Sequence, residues 1–269
     1  MTDAINPELA AKIRFDVPCS ARIWNYWMGG KDNYPVDREE GDRFAATSPG
    51  IVDMAKQSRQ YLIRAVRFLA SEAGMRQFLD LGTGLPTMQN THEVAQAAAP
   101  ESRIVYVDHD PMVLAHARAL LRNTTPEGVT TYLDADLHDP DLIVSDVRNV
   151  LNLNRPVAVM FMGSLGHIAD YERARSIVTT VMAAVPSGSY LVQYDGAATS
   201  EATIRAHSDY NETGAVPYIV RTPEQMSRFF DGLDLVEPGL VSISRWRPDP
   251  IDPGTPEAVD AYGGVARKP

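Results

Sequence analysis

The chain has 269 residues, and 44% of them are hydrophobic, which is enough for a core without disulfides or metals. With 35 acidic and 25 basic residues the net charge is −10, which opposes binding to nucleic acid and to anionic membranes. A single cysteine, Cys19, excludes an intramolecular disulfide, and neither a secretory signal nor an apolar run near the ~18 residues of a membrane span is found, so we expect a cytoplasmic protein.

Short apolar runs alternate with helical patterns along the chain, which is typical of βαβ units and a parallel sheet. A helical pattern from Met54 to Leu69 precedes the first run, and Gly74 is placed to end it. Later helices are predicted to begin at Asp110-Pro111 and at Thr222-Pro223, where a capping side chain is followed by proline. The predicted strands are Gln77–Leu81, Arg103–Asp108, Thr130–Leu133, Val157–Met162 and Ser189–Tyr194.

The C-terminal part of the chain predicts an antiparallel edge for this sheet. Two further apolar runs, Leu233–Val236 and Leu240–Trp246, flank a Pro-Gly pair and indicate a terminal hairpin. We therefore predict a Rossmann-like, doubly wound α/β domain over residues 51–246, with helices on both faces of the sheet. Residues 1–50 are predicted as a helical lid segment, residues 196–221 as a substrate-cap insertion, and residues 247–269, rich in proline and glycine, as a tail with little regular structure.

The first predicted strand runs into a glycine turn, Asp80-Leu81-Gly82-Thr83-Gly84, where the backbone can approach a ligand closely. A Walker A loop would need Lys and Ser/Thr after its last glycine, and neither is present. The dinucleotide fingerprint needs Gly or Ala where Thr87 stands, which disfavours NAD without excluding it. An acid two residues before the first glycine instead favours S-adenosylmethionine, whose ammonium and ribose call for carboxylates.

Acidic residues also end the second and third predicted strands. Asp108 follows the glycine turn at the spacing of a ribose-binding acid, and its oxygens can accept from ribose hydroxyls. Asp136, with the amide of Leu137, is the candidate partner of the adenine amino group. The alternative is that each strand-end aspartate merely caps the next helix. Further candidates that border the same edge of the sheet are His109, Gly163 and Ser164.

Several segments resemble a known family. The order Asp80-x-Gly82-x-Gly84, Asp108 and Asp136 resembles class I S-adenosylmethionine-dependent methyltransferases, although Pro86 replaces the third glycine. More specifically, the chain resembles an actinobacterial methyltransferase family formerly catalogued as a domain of unknown function. That resemblance implies a seven-stranded methyltransferase sheet, S-adenosylmethionine binding and S-adenosylhomocysteine as product. The segments that carry it are Ser20–Asn33 (SARIWNYWMGGKDN), Gln77–Thr87 (QFLDLGTGLPT), His92–Gln96, Val105–Asp108 and Tyr262–Val265.

Other residues are candidates for a lid, a clamp or a base. Trp24, Tyr26 and Trp27 precede a Gly-Gly pair that includes Gly30, and Lys31 and Asn33 follow it. This mixture of aromatic and polar residues favours a lid over the cofactor rather than an ordinary core helix end. Arg59 is predicted to bind the methionine carboxylate, unless it faces water. His167 follows the fourth strand and is the candidate catalytic acid or base, against a structural role. The histidine spacing predicts no metal site.

These features predict a methyltransferase that acts on a small molecule. We expect a largely apolar acceptor to enter between the N-terminal segment and residues 196–221. Protein methylation stays open, as do a non-catalytic module that binds S-adenosylmethionine or S-adenosylhomocysteine and an NAD-dependent oxidoreductase; the oligomeric state is not predicted. The side chains expected to line the acceptor pocket are Trp27, Met28, Tyr210 and Tyr218, with Ser164, His167 and Asn211 as polar groups.

Overall fold

One mixed sheet organises the computed structural model, which describes residues 13–86, 89–120, 122–249 and 256–269. Five parallel strands lie in the order β3-β2-β1-β4-β5, and β8 continues the sheet antiparallel to β5. This confirms the predicted doubly wound α/β class. The strands are β1 (Gln77–Leu81), β2 (Arg103–Asp108), β3 (Val129–Asp134), β4 (Ala158–Met162), β5 (Tyr190–Gly196), β6 (Asp234–Leu235), β7 (Val241–Ser242) and β8 (Ala261–Arg267).

Helices cover both faces of the sheet because alternate strand residues face opposite sides. Phe78 on one face of β1 packs in a cluster with Tyr61 of the long helix α3. Leu79 and Leu81 face the other way and pack with residues of α6 and α7 such as Ile143. The helices are α1 (Ser20–Trp27), α2 (Pro35–Thr47), α3 (Ile51–Ser71), α4 (Thr91–Ala98), α5 (Pro111–Leu120), α6 (Pro140–Val147), α7 (Tyr171–Ala183), α8 (Glu201–Asn211) and α9 (Pro223–Ser227).

Local sequence signals set several helix starts. The Asp110 carboxylate accepts from the backbone N–H of Met112 at 2.7 Å, and α5 begins at the following proline as predicted. Thr222 and Gln225 form the predicted capping box of α9. Within the described residues, no helix is long and apolar enough to cross a membrane.

The C-terminal prediction needs two corrections. The two short strands β6 and β7 do not pair with each other; each pairs antiparallel with β8. The predicted antiparallel edge of the sheet is confirmed, but its strands pair through β8 rather than with each other. The expectation of little regular structure for residues 247–269 is wrong, since β8 (Ala261–Arg267) lies next to β5. Gly263 and Gly264 both lie in this strand. At Gly263 the close approach of β5 favours glycine, because a Cβ there would lie 2.7 Å from the Cβ of Tyr194. Within the described residues the sheet thus has eight strands rather than the seven implied by the resemblance, and two of them are two residues long.

The N-terminal segment packs against the excursion that follows β5. Ser48, at the end of α2, lies 3.2 Å from Thr203 of α8 through their hydroxyl oxygens. Phe44 stacks edge to face on His207, with ring centroids 4.9 Å apart. Residues 1–12 of the predicted lid segment lie outside the described residues, but α2 packs against α8, and α1 packs against α2.

Candidate functional site

A cavity of about 490 Å³ lies at the carboxyl end of the parallel strands. The strand order reverses between β1 and β4, and open α/β sheets bind ligands in the crevice outside such a reversal. Its wall combines the glycine turn after β1, the ends of β2, β4 and β5, one side of α3, the start of α1 and the loop at residues 214–216. Residues far apart in sequence therefore share one pocket.

The glycine turn has the shape that its sequence predicts. Gly82 and Gly84 have φ of 73° and 66°, in the region that L side chains avoid. A Cβ on Gly82 would lie 2.4 Å from the Cβ of Ser164, so the turn can only pack against β4 with a glycine there. A Cβ on Gly84 would have no atom within 4 Å, because this residue borders the cavity. Thr83, between them, donates its hydroxyl to the Asp80 carbonyl at 3.2 Å.

Asp80 and Arg59 bring opposite charges to one wall of the cavity. The Asp80 carboxylate is 3% exposed, and one oxygen accepts from the Thr91 hydroxyl at 2.7 Å. Among the described residues, its other oxygen, Oδ1, has no partner, and neither has the buried Nε of Arg59. Burial raises the pKa of Asp80 to about 6 and lowers that of Arg59. Both groups are therefore short of polar partners and face the same space.

Asp108 shapes the turn as well as bordering the cavity. Its Oδ2 accepts from the Gly84 N–H at 2.8 Å, and its Oδ1 accepts from the N–H groups of His109 and Asp110 at 2.8 and 3.0 Å. A carboxylate has about four acceptor sites, so about one remains for a ligand rather than the two expected for a ribose diol. Burial raises the pKa of this carboxyl. His109, beside it, also lines the cavity.

The two residues predicted to contact adenine differ in their position relative to the cavity. Leu137 lines the cavity, whereas Asp136 is outside its lining, with 49% of its side chain exposed. The Asp136 carboxylate accepts from the N–H of His138 at 2.8 Å, which is the local capping role that strand-end aspartates often have. Across the pocket, Gly163 and Ser164 are lining residues as predicted. The Ser164 hydroxyl donates to the Leu81 carbonyl at 2.8 Å and so ties β4 to β1.

The predicted lid residues divide into two groups. Trp24 lines the cavity together with Met28, since residues four apart share one face of a helix. Tyr26, Gly30, Lys31 and Asn33 do not line the cavity, and their contact with the cofactor stays a prediction. The Tyr26 hydroxyl donates to Asp42 at 2.8 Å on the opposite side of α1.

Asn33 and Gly30 have a structural explanation. The Asn33 side-chain amide donates to Asn25 Oδ1 and to the Gly30 carbonyl, each at 3.0 Å, and this closes the turn after α1. A Cβ on Gly30 would lie 2.4 Å from the Asn25 amide nitrogen, so the turn requires glycine there. Lys31 is exposed. Asn25 and Asn33 therefore hold the loop after α1 in the described structure.

The acceptor-pocket prediction is only partly met. Of the aromatic and aliphatic residues proposed for it, Met28 lines the cavity, while Trp27 packs edge to face on Phe44. Tyr218 is buried and donates its hydroxyl to Asp195 at 2.8 Å, and Asn211 accepts from the Tyr218 N–H at 2.8 Å. These residues and Tyr210 lie outside the cavity lining, which the excursion reaches through Gly214, Ala215 and Val216.

His167 lies in the cavity wall, as predicted for the catalytic candidate. Its Nε2 is 3.0 Å from the Ser20 hydroxyl of α1, and its Nδ1 is 2.9 Å from the Pro217 carbonyl. Burial lowers the pKa of this imidazole, so the neutral form is favoured at neutral pH. Ser20 was not singled out from the sequence, because nothing in its local pattern distinguishes it from a helix-start serine.

Other lining residues also lacked a sequence signal. Thr91 sits one residue after the start signal of α4 and reads as part of that cap, and Tyr106 and Tyr194 read as strand residues. The tertiary structure shows that all three line the cavity and that Thr91 donates to the Asp80 carboxylate. Within the described part of the chain, no group of three or more His, Cys, Asp or Glu residues is arranged to hold a metal ion.

The comparisons agree with this architecture. The family model for S-adenosyl methyltransferases matches residues 6–269. A Streptomyces avermitilis protein of the DUF574 family is 43% identical, with a TM-score of 0.89 over 95% of this chain and 99% of that one. A Thermobifida fusca protein proposed to be a methyltransferase is 41% identical, with a TM-score of 0.87 over 97% of both chains.

A more distant solved structure shows similarity of fold only. Mitomycin 7-O-methyltransferase is 14% identical, with a TM-score of 0.52 over 81% of this chain and 56% of that one, and the likeness extends to the fold alone. No curated protein sequence matches the chain. The family model and the two near relatives span almost the whole sequence. The chain therefore belongs to the S-adenosyl methyltransferase family, which confirms the predicted resemblance and S-adenosylmethionine as the cofactor.

Proposed function

We propose that the chain transfers the methyl group of S-adenosylmethionine to a small-molecule acceptor and releases S-adenosylhomocysteine. The observation that carries this proposal is the cavity of about 490 Å³, which joins the glycine turn to residues of α1 and of the 214–216 loop. A pocket of this size is within the range of small-molecule sites. The net charge of −10 disfavours a polyanionic acceptor.

The cofactor half of the cavity suits the polar ends of S-adenosylmethionine. We assign the unpartnered Oδ1 of Asp80 to the ammonium group and Arg59, on the same wall, to the carboxylate; the lack of other partners for these buried atoms among the described residues supports both roles. The remaining acceptor site of Asp108 suits a ribose hydroxyl, and Leu137 offers an apolar contact for adenine. When bound, the cofactor supplies an activated methyl group, so the protein has mainly to align the acceptor and exclude water.

The acceptor half is mostly apolar. Trp24, Met28 and Val17 come from the N-terminal segment, and Ala215 and Val216 come from the excursion after β5. Val216 is 64% exposed, which leaves an apolar residue at the rim for an entering ligand. We propose that residues 1–50 and 196–221 act as lid and cap around this opening. The polar groups on this side are Ser20 and His167.

A second candidate function is binding of S-adenosylmethionine or S-adenosylhomocysteine without chemistry. It is supported by the fact that the unpartnered polar atoms lining the cavity, Asp80 Oδ1 and Arg59 Nε, belong to the cofactor half. An NAD-dependent activity has no comparable support, since it requires a fingerprint that the turn lacks. A location in the cytoplasm remains a prediction from the single cysteine.

Two measurements test the proposal. Isothermal titration with S-adenosylhomocysteine and with NAD, on wild type and the Asp80→Asn variant, should give binding of the first ligand alone and weaker binding in the variant. Incubation with methyl-labelled S-adenosylmethionine and a metabolite extract should then put label into the small-molecule fraction. Binding without any label transfer supports the non-catalytic alternative, and label found only in protein contradicts the small-molecule acceptor.

A further inference from the structure

Three separate parts of the chain meet at the His167 imidazole. The residue lies in the short helical turn Leu165–His167 after β4. Ser20, at the first position of α1, reaches its Nε2, and the carbonyl of Pro217, in the cap segment, reaches its Nδ1. The contact therefore joins the lid, the sheet edge and the cap at the acceptor half of the cavity.

These two contacts fix the proton on the neutral imidazole. A carbonyl oxygen only accepts, so Nδ1 must carry the hydrogen that is donated to Pro217. Nε2 is then unprotonated and accepts from the Ser20 hydroxyl at 3.0 Å. A ring held this way presents a proton acceptor to the Ser20 hydroxyl, which itself borders the cavity, and a general base acting through Ser20 requires this arrangement.

Asp195 holds both contacts in place. This buried carboxylate, 1% exposed, uses Oδ1 to accept from the Gly166 N–H at 3.1 Å and from the Tyr218 hydroxyl at 2.8 Å. Gly166 precedes His167, and Tyr218 follows Pro217. The Tyr218 ring also packs edge to face on the imidazole, with centroids 5.0 Å apart. One carboxylate oxygen thus sets the position of the imidazole and of the carbonyl that orients it.

The surroundings favour a neutral ring. Within the described residues, no carboxylate forms an ion pair with His167, and Asp195 bonds its neighbours rather than the ring. The other titratable groups that face it are Tyr218 and the imidazoles of His109 and His207. Burial lowers the pKa of His167, and the positive form of His109 lowers it further, against the hydrogen bond to Pro217.

We propose that Ser20 and His167 form a proton relay that activates a hydroxyl group of the methyl acceptor, with Asp195 as the positioning residue. The inference rests on the proposed function. The acceptor hydroxyl donates to Ser20 Oγ, and Ser20 donates its own proton to His167 Nε2. As the acceptor oxygen bonds to the methyl carbon, the carbon–sulfur bond breaks and its electron pair stays on sulfur. The acceptor proton moves to Ser20, the Ser20 proton moves to His167, and the imidazolium loses it to water after product release.

The relay specifies the acceptor class as an alcohol or a phenol. Such a nucleophile is neutral at pH 7 and gains reactivity when its proton is removed during attack. The apolar lining from Trp24, Met28 and Val216 suits the rest of such a molecule.

The tautomer can be tested without any acceptor. Nitrogen-15 NMR of the protein bound to S-adenosylhomocysteine should show His167 neutral at pH 7, with its proton on Nδ1. Tyr218→Phe removes one donor to Asp195 and should disturb this tautomer signal, whereas His116→Gln, on α5, should leave it unchanged. A proton on Nε2, or an imidazolium at pH 7, overturns the relay whether or not methyl transfer occurs.

The chemistry is tested with carbon-13 methyl S-adenosylmethionine and a metabolite extract of Streptomyces avermitilis, the source of the 43% identical relative. The methyl carbon shift of the product should identify an O-methyl group. His167→Gln and Ser20→Ala should each slow labelling by ~10²–10⁴-fold with unchanged S-adenosylhomocysteine affinity, and Ser20→Thr should restore most of the rate. The wild-type rate should rise with pH through the lowered His167 pKa, and His167→Gln should lose this rise.

The outcomes separate the two proposals. An N-, S- or C-methyl product, or normal rates in either variant, contradicts the relay and leaves methyl transfer intact. O-methyl product with a slow His167→Gln but a normal Ser20→Ala contradicts the role of Ser20. Binding of S-adenosylhomocysteine with no labelled product in any fraction contradicts the proposed function, and with it the reaction assigned to this pair.

Discussion

Replacing Asp80 with asparagine should stabilise the protein without ligand and weaken cofactor binding. The wild-type carboxylate is buried, and one of its oxygens has no partner among the described residues. Asparagine keeps an oxygen that can accept from the Thr91 hydroxyl, but it removes the buried charge. The variant therefore separates the stability of the fold from the binding of a positively charged ligand group.

The magnitude follows from the pKa of Asp80. Burial raises it from 3.8 to about 6, only partly offset by the Thr91 hydrogen bond and by Arg59. Between these values the folded state binds more protons than the unfolded state, so the free energy of unfolding falls as pH rises and levels off above pH ~6. Two pKa units at about 1.4 kcal/mol each predict about 3 kcal/mol of extra stability for Asp80→Asn at pH 7, and little below pH ~4.

Ligand should narrow this difference in stability. S-adenosylhomocysteine at 100 times its Kd stabilises wild type by about 2.7 kcal/mol. Loss of a hydrogen bond to a charged group, about 1.5–3 kcal/mol, should remove most of that gain in Asp80→Asn. Urea unfolding of wild type and Asp80→Asn at pH 4 and pH 7, with and without ligand, measures the free energy of unfolding under each condition. As a control, Asp53→Asn alters a carboxylate that is 79% exposed and should change none of them. A less stable Asp80→Asn at pH 7, or equal ligand stabilisation, refutes the reasoning.

Three further changes test the site and its supports. Asp108→Ala should weaken S-adenosylhomocysteine binding by ~2–3 kcal/mol by isothermal titration, since a buried acceptor is lost; unchanged affinity in a folded variant contradicts the ribose assignment. Gly82→Ala should unfold at lower urea than Gly214→Ala, because both have positive φ but only the first Cβ meets a side chain, at 2.4 Å; equal midpoints contradict the packing argument. Asp37→Ala should cost about 3–5 kcal/mol of unfolding free energy, since it strands the Arg22 guanidinium now 2.7 Å away and 4% exposed; a loss below ~1 kcal/mol contradicts this.

Local patterns predicted much of the parallel half of the fold. Apolar runs located β1 to β5 within a few residues, and capping residues located the starts of α5 and α9. The glycine turn could be identified because positive φ and close approach restrict the residue type at Gly82. These features depend on neighbours within a few residues, so the sequence carries them directly.

The lid prediction shows where pattern reasoning stopped. The sequence around α1 predicts a lid, but it does not determine which side of the helix faces the cavity. That choice depends on the contacts of α1 with α2. Tyr26 donates a hydrogen bond to Asp42, and Trp27 donates one to the Gly41 carbonyl. Trp24 and Met28 therefore face the cavity. A helix has several candidate faces until its neighbours are known.

The sequence by itself determined the fold class, the family and the cofactor, because the strand pattern, the glycine turn and the long N-terminal signature are each contiguous. Only the tertiary structure decided how distant residues meet. Ser20 and His167 are 147 residues apart in sequence, and β8 joins the sheet beside β5 although its glycines suggest a loop. Such contacts are set by packing between elements rather than by local propensity, and no short-range pattern encodes them.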